Sequence, residues 1–137
     1  MSRLVELQVI EDSQNGSLGI AECGSQVPFF VRRAFYLFDL PAGAIRGRHA
    51  HRELEQFVIC LSGAIEISVE DASGKTDITL QSATRGLYVP AMNWLVLNAL
   101  KDDTVCLVLA SALYDESDYV RDYDEFQRLL STQSDAR

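Results

Sequence analysis

Two histidines separated by one residue are the side chains in this sequence best suited to chemistry. They are His49 and His51, the only histidines among 137 residues. The run 57–61 that follows is apolar and predicts a buried strand. If the pair lies on an extended segment, alternation puts both imidazoles on one face and turns Ala50 away. Because imidazole exchanges protons near neutral pH, we interpret the pair as a proton-transfer site.

Arginines crowd around this pair in a chain that is otherwise acidic. The net charge is −8, which argues against a nucleic-acid partner. A local arginine cluster suits a small anion such as phosphate, although solvated strand edges would explain any single arginine equally well. Five of the twelve basic residues form this group: Arg32, Arg33, Arg46, Arg48 and Arg52.

The composition predicts a single soluble domain over residues 1–137 that is cytoplasmic. An apolar fraction of 47% is ordinary for a globular chain, and no apolar run approaches the roughly 20 residues of a membrane span. Polar residues interrupt the N-terminal apolar run, so it does not resemble a signal peptide. The cysteines are odd in number and lack metal-site spacing, which predicts reduced thiols at Cys23, Cys60 and Cys106.

Many short strands separated by turns predict an all-β fold. Residues 64–70 alternate between apolar and polar side chains, and a hairpin turn follows at 71–74. Residues 105–109 are apolar on both faces, so this strand must be covered on both sides, within the chain or by a partner. No helical period precedes residue 114, which indicates a barrel or sandwich. The predicted strands are 4–10, 18–22, 29–40, 57–61, 64–70, 76–80, 86–89, 93–97 and 104–110.

The C-terminal segment changes character. Residues 114–126 are acidic and aromatic, and four apolar side chains recur at helical spacing, which predicts one short helix. This segment is interpreted equally well as a solvated flap or as a lid facing a ligand. Residues 131–137 are predicted to be frayed. The four helical positions are Tyr119, Tyr123, Phe126 and Leu130.

Several motifs occur in an order that resembles one family. The chain has Arg-Gly-x-His-Ala-His at 46–51, then Glu55-Gln56, Gly-Leu-Tyr-Val at 86–89, and a Tyr-Asp-Glu-x-Asp-Tyr tail from Tyr114. Together these motifs resemble the dTDP-sugar 3,4-ketoisomerases, over residues 27–126. The resemblance implies a cupin, a double-sheet β-barrel of jelly-roll type with a short C-terminal helix.

The resemblance also implies an activity. Such enzymes use no metal and no cofactor, and they interconvert dTDP-4-keto-6-deoxyglucose and a dTDP-3-keto-6-deoxyhexose through an enediol. By resemblance, His51 is the base at carbon and His49 its partner at oxygen. The substrate-binding residues it implies are Arg33, Tyr36, Arg46 and Gln56. One departure is the early turn, Ser-Gln-Asn-Gly at 13–16 where related chains often carry Asp-x-Arg-Gly, so any contact from that arginine is absent.

The family resemblance further implies an intertwined homodimer. Its N-terminal strands, within residues 1–26, would be exchanged between subunits, and the strand 4–10 would add to the partner's sheet. An apolar edge strand would otherwise leave backbone groups unpaired.

Three alternative functions stay open. The first is a metal cupin, either a dioxygenase or an isomerase, which adds a carboxylate and a third histidine to His-x-His. Here Glu55 or Gln56 lies near the position of the carboxylate, and Leu95 stands where the third histidine would be. Two histidines and one carboxylate can nevertheless hold iron. A non-catalytic sugar-binding cupin is the second. The third is a nucleotide-sugar 3,5-epimerase, which uses a histidine backed by an acidic residue with a tyrosine acid, and no such dyad is evident in the sequence.

Overall fold

The computed structural model describes residues 1–135, which form two facing five-stranded antiparallel sheets, a separate hairpin and a C-terminal helix. The strands are β1 (Arg3–Glu6), β2 (Gln8–Asp12), β3 (Gly16–Ile20), β4 (Arg33–Leu40), β5 (Ile45–His51), β6 (Gln56–Ser62), β7 (Ile65–Asp71), β8 (Gly74–Leu80), β9 (Arg85–Val89), β10 (Trp94–Ala99), β11 (Thr104–Ala110) and β12 (Tyr119–Val120). A 3-10 turn, Glu116–Asp118, precedes β12, and helix α1 is Tyr123–Asp135. The predicted all-β double sheet of jelly-roll type with a short C-terminal helix is confirmed, although the sheets do not close into a continuous barrel.

The hydrophobic core lies between the two sheets. The first sheet has the strand order β1-β9-β6-β11-β4, and the second has the order β12-β5-β10-β7-β8. The alternation predicted for 64–70 is observed, because Ile65, Ile67 and Val69 are buried while the residues between them are partly exposed. These side chains meet Val58 and Val108 of the facing sheet in one cluster, and burial of such side chains contributes roughly 1.5–3 kcal/mol each.

The outer face of the first sheet is covered by the chain itself. Phe57 and Ile59 of β6 point away from the main core and are buried against Val27 and Phe29. Strand β6 is therefore apolar on both faces because an N-terminal segment of the same chain covers its outer face.

The N-terminal segment 4–10, predicted as one strand, forms parts of two strands. β1 pairs with β9 of the same chain, whereas within residues 1–135 β2 pairs only with β3. The break falls at Leu7, whose backbone N–H donates to the Thr84 carbonyl. Alternation continues through the break, so the pattern could not show that the pairing partner changes. Ile10 and Leu18 of the hairpin are both exposed.

Helix α1 packs on the outer face of the second sheet. Phe126 and Leu130 are buried against Ala50 and Val120, as the helical spacing predicted. The prediction for Tyr119 was wrong, because that residue lies in β12 and the helix begins at Tyr123.

The helix reaches Asp135, through the first five residues of the segment predicted to be frayed, and residues 136–137 lie outside the described part of the chain. Within the described part, no helix has the length and apolar character needed to cross a membrane.

Candidate active site

The two histidines meet on one face of β5, as predicted. Their ring centroids are 4.9 Å apart, and the rings are nearly perpendicular. Ala50 between them points to the other face, where it is buried beneath helix α1. Strand β5 lies between β10 and β12, so the pair is held on both sides by backbone pairing.

A β-bulge in β5 sets the direction of these imidazoles. His49 lies opposite Leu95 and Gly47 lies opposite Val96, which leaves Arg48 as the additional residue. Gly47 has φ +89°, and a Cβ there would lie 2.7 Å from the Leu95 carbonyl oxygen. A glycine is therefore required at this close approach, and the bulge re-aims the residues after it.

The short strand β12 brings aromatic and cationic side chains to the pair. Tyr119 lies opposite His51 in the register, and its ring centroid is 4.3 Å from that of His51 and 5.0 Å from that of His49. The Arg121 guanidinium lies over the Tyr119 ring at 4.2 Å. Two nitrogens of Arg121 donate to the Glu116 carboxylate at 2.7 and 2.9 Å, which fixes the arginine in a forked ion pair.

An acidic partner for a histidine is present, although no such pair was evident in the sequence. The Nδ1 atom of His51 lies 3.2 Å from Oδ2 of Asp118, which is 67 residues away in the chain. The same carboxylate accepts hydrogen bonds from the backbone N–H groups of Glu53 at 2.8 Å and Leu54 at 3.2 Å. The tail motif that contains Asp118 and Tyr119 was recognised in the sequence, but nothing in it indicated that these side chains fold back onto β5.

Two cavities adjoin the cluster. The inner cavity, of about 400 Å³, lies between the sheets and is lined on its polar side by Arg46, His49, Gln56, Tyr119 and Arg121. Its remaining lining is apolar and comes from both sheets. The outer cavity, of about 360 Å³, is bordered by His51, Arg33 and the loops after β5 and β11. Tyr119 borders both cavities, so the histidines lie where the two spaces meet.

The structure brings together five of the six residues that the sequence analysis assigned to the site. The exception is Tyr36, whose side chain is 63% exposed beside Phe38 and lines neither cavity of this chain. Alternation along β4 explains this position, because Arg33 and Phe35 share one face and Tyr36 lies on the other. Of the predicted arginine cluster, Arg33 and Arg46 border the cavities, whereas Arg52 forms an ion pair with Glu125.

Some polar atoms around the cavities are buried and have no hydrogen-bond partner. Among the described residues, three buried side-chain polar atoms have no hydrogen-bond partner: Nε of Arg33, Nδ1 of His49 and Nε2 of His51. Buried polar atoms are normally paired, so three such atoms around one site indicate a place for a ligand. Burial lowers the pKa of His49, and burial together with the neighbouring His49 lowers the pKa of His51 to about 4, against the opposing effect of Asp118. Both imidazoles are therefore neutral at pH 7, as a general base must be.

The carboxylate considered as a metal ligand is occupied elsewhere. Glu55 accepts a hydrogen bond from the Tyr88 hydroxyl and borders the outer cavity, away from His49. Burial and this carboxylate raise the pKa of Tyr88 to about 12. Across residues 1–135, no three His, Cys, Asp or Glu side chains are grouped closely enough to hold a metal ion.

Comparison with known proteins assigns the chain to a family. A TDP-4-oxo-6-deoxy-α-D-glucose-3,4-oxoisomerase from Aneurinibacillus thermoaerophilus is 38% identical over 130 residues, covering 95% of this chain and 93% of the relative. The crystal structure of a 3,4-ketoisomerase from Helicobacter canadensis superposes with a TM-score of 0.90 at 34% identity, covering 95% of this chain and 97% of the other. QdtA, a sugar 3,4-ketoisomerase from Thermoanaerobacterium thermosaccharolyticum solved in complex with TDP, gives a TM-score of 0.90 at 31% identity, covering 96% of each chain. Residues 1–131 also match the FdtA family, described as WxcM-like, C-terminal. With near-complete coverage at this level of identity, the chain belongs to the FdtA family, and the resemblance to the 3,4-ketoisomerases predicted from the sequence is confirmed.

Proposed function

We propose that this chain is a sugar 3,4-ketoisomerase that interconverts dTDP-4-keto-6-deoxyglucose and a dTDP-3-keto-6-deoxyhexose. Relatives with more than 30% identity carry this activity in their names, and one was solved with TDP. The single observation that carries the proposal is the pair of adjacent imidazoles, partly buried His49 and buried His51, each of which has one buried, unpartnered nitrogen and borders a cavity.

The chemistry requires two proton transfers that a pair of neutral imidazoles can perform. In the proposed cycle, His51 removes the proton on carbon 3, and the electron pair of that C–H bond forms the enediolate between carbons 3 and 4. His49 carries a proton between the two oxygens, so that the hydroxyl becomes the ketone and the ketone becomes the hydroxyl. His51 then returns its proton to carbon 4. General acid–base groups of this kind contribute on the order of 100- to 10,000-fold each.

Cationic and polar side chains around the cavities would bind the rest of the substrate. Arg33 and Arg46 suit the diphosphate, because guanidinium groups bind phosphate oxygens in a forked geometry. Arg121 borders the inner cavity beside Tyr119 and would stabilise the negative charge of the enediolate. Gln56, buried in the lining of the inner cavity, would bind a sugar hydroxyl.

The proposed reaction is redox-neutral and needs no cofactor or metal. We therefore expect full activity after exhaustive dialysis against a chelator. Stoichiometric iron, zinc or manganese in the purified protein, with activity lost when that metal is removed, would contradict the proposal and favour a metal cupin.

The proposed functional unit is a homodimer in which strands of the N-terminal segment 1–26 are exchanged, namely the hairpin β2–β3, while β1 stays paired with β9 of its own chain. The support is the hairpin β2–β3, which within the described residues pairs with neither large sheet and exposes Ile10 and Leu18. A second copy of the chain would cover these apolar side chains and the free strand edge. Light scattering at micromolar concentration should give twice the chain mass, and a fully active monomer would contradict the assembly.

Three free thiols, at Cys23, Cys60 and Cys106, support the cytoplasmic location we propose.

The decisive experiment follows the sugar itself. Purified protein incubated with dTDP-4-keto-6-deoxyglucose should produce a ¹³C NMR signal of a carbonyl at carbon 3, with loss of the signal at carbon 4. The variant carrying both His49→Asn and His51→Asn is the control, because it retains the cavities without the imidazoles. No movement of the carbonyl with the unsubstituted protein would refute the function.

A second candidate is 3,5-epimerisation of the same class of substrate. The observation in its favour is the contact between His51 and Asp118 with Tyr119 beside them, a combination that was not evident in the sequence. The same experiment in deuterated water separates the two reactions. An epimerase would introduce deuterium at carbons 3 and 5 and leave the carbonyl at carbon 4.

A further inference from the structure

Asp118 is bound in a way that determines which nitrogen of His51 carries the proton. Its carboxylate receives two backbone N–H groups, from Glu53 and Leu54, and lies 3.2 Å from Nδ1 of His51. An ionised carboxylate only accepts hydrogen bonds, so the proton of a neutral His51 ring must be on Nδ1. The lone pair is then on Nε2, which is buried and has no protein partner.

From this geometry we infer that Asp118 is the positioning residue of the active site: it holds His51 in the tautomer whose Nε2 faces the substrate. The inference rests on the proposed function and adds to it a residue that does not itself touch the sugar. The contact also joins two parts of the fold, because the Asp118 carbonyl accepts the backbone N–H of Arg52 directly after β5.

During the proposed reaction the carboxylate would neither gain nor lose a proton. When Nε2 takes the proton from carbon 3, both ring nitrogens carry hydrogen and the ring becomes a cation against the negative charge of Asp118. The proton then leaves Nε2 for carbon 4, and the ring returns to the neutral form with hydrogen on Nδ1. The carboxylate thus favours the charged ring at the step where it forms.

The other acidic side chains of the same segment are engaged elsewhere. Asp115 accepts from the backbone and hydroxyl of Ser117, and Glu116 is bound by Arg121. Among the described residues, Asp118 is the one carboxylate in hydrogen-bond contact with a histidine. Its side chain is 15% exposed, so water competes little for this contact.

The first test reads the tautomer directly and does not depend on activity. Because the chain has two histidines, protein labelled with ¹⁵N-histidine contains only four imidazole nitrogens, and the His49→Asn variant contains only the two of His51. At neutral pH we expect a protonated Nδ1 and an unprotonated Nε2. A proton found on Nε2 of His51 would overturn the inference.

The second test removes the carboxylate. In Asp118→Ala the His51 ring should lose the Nδ1–H preference, and kcat should fall about 100- to 10,000-fold while KM changes less than about threefold. Asp118→Glu, which keeps a carboxylate on a side chain one methylene longer, should restore the Nδ1–H tautomer and part of kcat.

A matched control separates positioning from folding. Asp122 is a carboxylate in the same segment that accepts only a backbone N–H, that of Asp124 at the start of α1. Asp122→Ala should lower stability without changing the His51 tautomer or kcat. If Asp118→Ala behaves like Asp122→Ala, losing stability but keeping the tautomer, Asp118 is structural and the inference fails. If the tautomer changes as expected in a protein with no ketoisomerase activity, the inference stands and the proposed function fails.

Discussion

Thr104 and the histidine pair are both enclosed polar groups of the double sheet, yet only Thr104 has a partner for every buried polar atom of its side chain. The Thr104 hydroxyl is fully buried and contacts the Lys101 carbonyl at 2.7 Å and the backbone of Ala64 at 3.3 and 3.4 Å. In the histidine pair, Nδ1 of His49 and Nε2 of His51 are also buried but have no hydrogen-bond partner. The first arrangement stabilises the fold, whereas the second keeps polar atoms available for a molecule that arrives later.

Each group depends on a glycine that lets the backbone come close. Gly63 has φ +81° and faces Thr104, and Gly47 has φ +89° and faces the Leu95 carbonyl. Both positions require the left-handed conformation and leave no room for a Cβ. The same backbone feature thus supports a structural contact at one place and the proposed catalytic pair at the other, and substitutions should separate the two.

The largest effect is expected from removing either imidazole. His51→Asn and His49→Asn should each lower kcat by about 100- to 10,000-fold, because each would delete a proton-transferring group. In His49→Asn the free energy of unfolding should not fall, since the buried Nδ1 that is lost has no protein partner. In His51→Asn it should fall slightly, because the contact between Nδ1 and Asp118 is lost. Carbonyl migration measured by NMR and urea unfolding test the two halves of this prediction. Near-normal turnover in both variants would make the pair a structural feature.

Solvent deuterium divides the roles of the two histidines. His51→Asn should stop exchange of the proton on carbon 3 of the substrate, because the proposed base at carbon is gone. His49→Asn should still exchange that proton slowly without completing the isomerisation. Exchange at the unsubstituted rate in His51→Asn would assign the carbon base to another residue.

A smaller loss of activity is expected from filling the bulge. Gly47→Ala should lower kcat by about 100-fold, because the added Cβ meets the Leu95 carbonyl and shifts His49 from its productive direction. Gly43→Ala is the matched control, since Gly43 has φ +88° and open space at its Cβ position. Both variants should lose about 1–2 kcal/mol of stability from the left-handed backbone, and Gly47→Ala more because of the clash, but only Gly47→Ala should lose activity.

Substitution of Thr104 is expected to change stability but not activity. Thr104→Val should lower the free energy of unfolding by about 1–3 kcal/mol, because backbone groups of Ala64 and Lys101 lose a buried partner. Urea denaturation measures this change, and kcat should stay at the unsubstituted value. Thr79→Val, at an exposed position on β8, should change stability by less than about 0.5 kcal/mol. Lost activity in Thr104→Val would show that the two polar groups are coupled.

The last prediction concerns how stability depends on pH. The pKa of His51 is about 4 in the folded protein and about 6.5 when unfolded, so the unfolded chain binds more protons between these values. Stability should therefore fall with decreasing pH, and His51 should account for about 2 kcal/mol of the loss between pH 7 and 5. Denaturant curves at several pH values should give a shallower dependence for His51→Asn. An identical dependence in both proteins would mean that the folded-state pKa of His51 is not lowered.

Local patterns were sufficient to predict much of the candidate site. The His-x-His spacing placed both imidazoles on one face because alternation is a property of the extended backbone itself. Gly47 was part of the recognised motif, but its role required the register of β5 against β10. Tyr36, assigned to substrate binding by resemblance, lies on the face of β4 away from the two cavities of this chain, and the sequence could not show which face of β4 meets the core.

The sequence by itself determined the all-β fold class, the core strands and the histidine pair, because these follow from periodicity and from residues close together in the chain. It also indicated the family, through the resemblance of motifs spread from residue 46 to residue 123. Only the tertiary structure decided the partners of those histidines. Asp118 and Tyr119 reach them through a two-residue strand, which is too short to leave a periodic pattern, and the contact closes a loop of 67 residues. The tertiary structure also decided the pairing of the hairpin β2–β3, because alternation predicted that its residues are extended but not which strand lies beside them. Side-chain direction is a local property of a strand, whereas the choice of a neighbour is made by the packing of the whole chain.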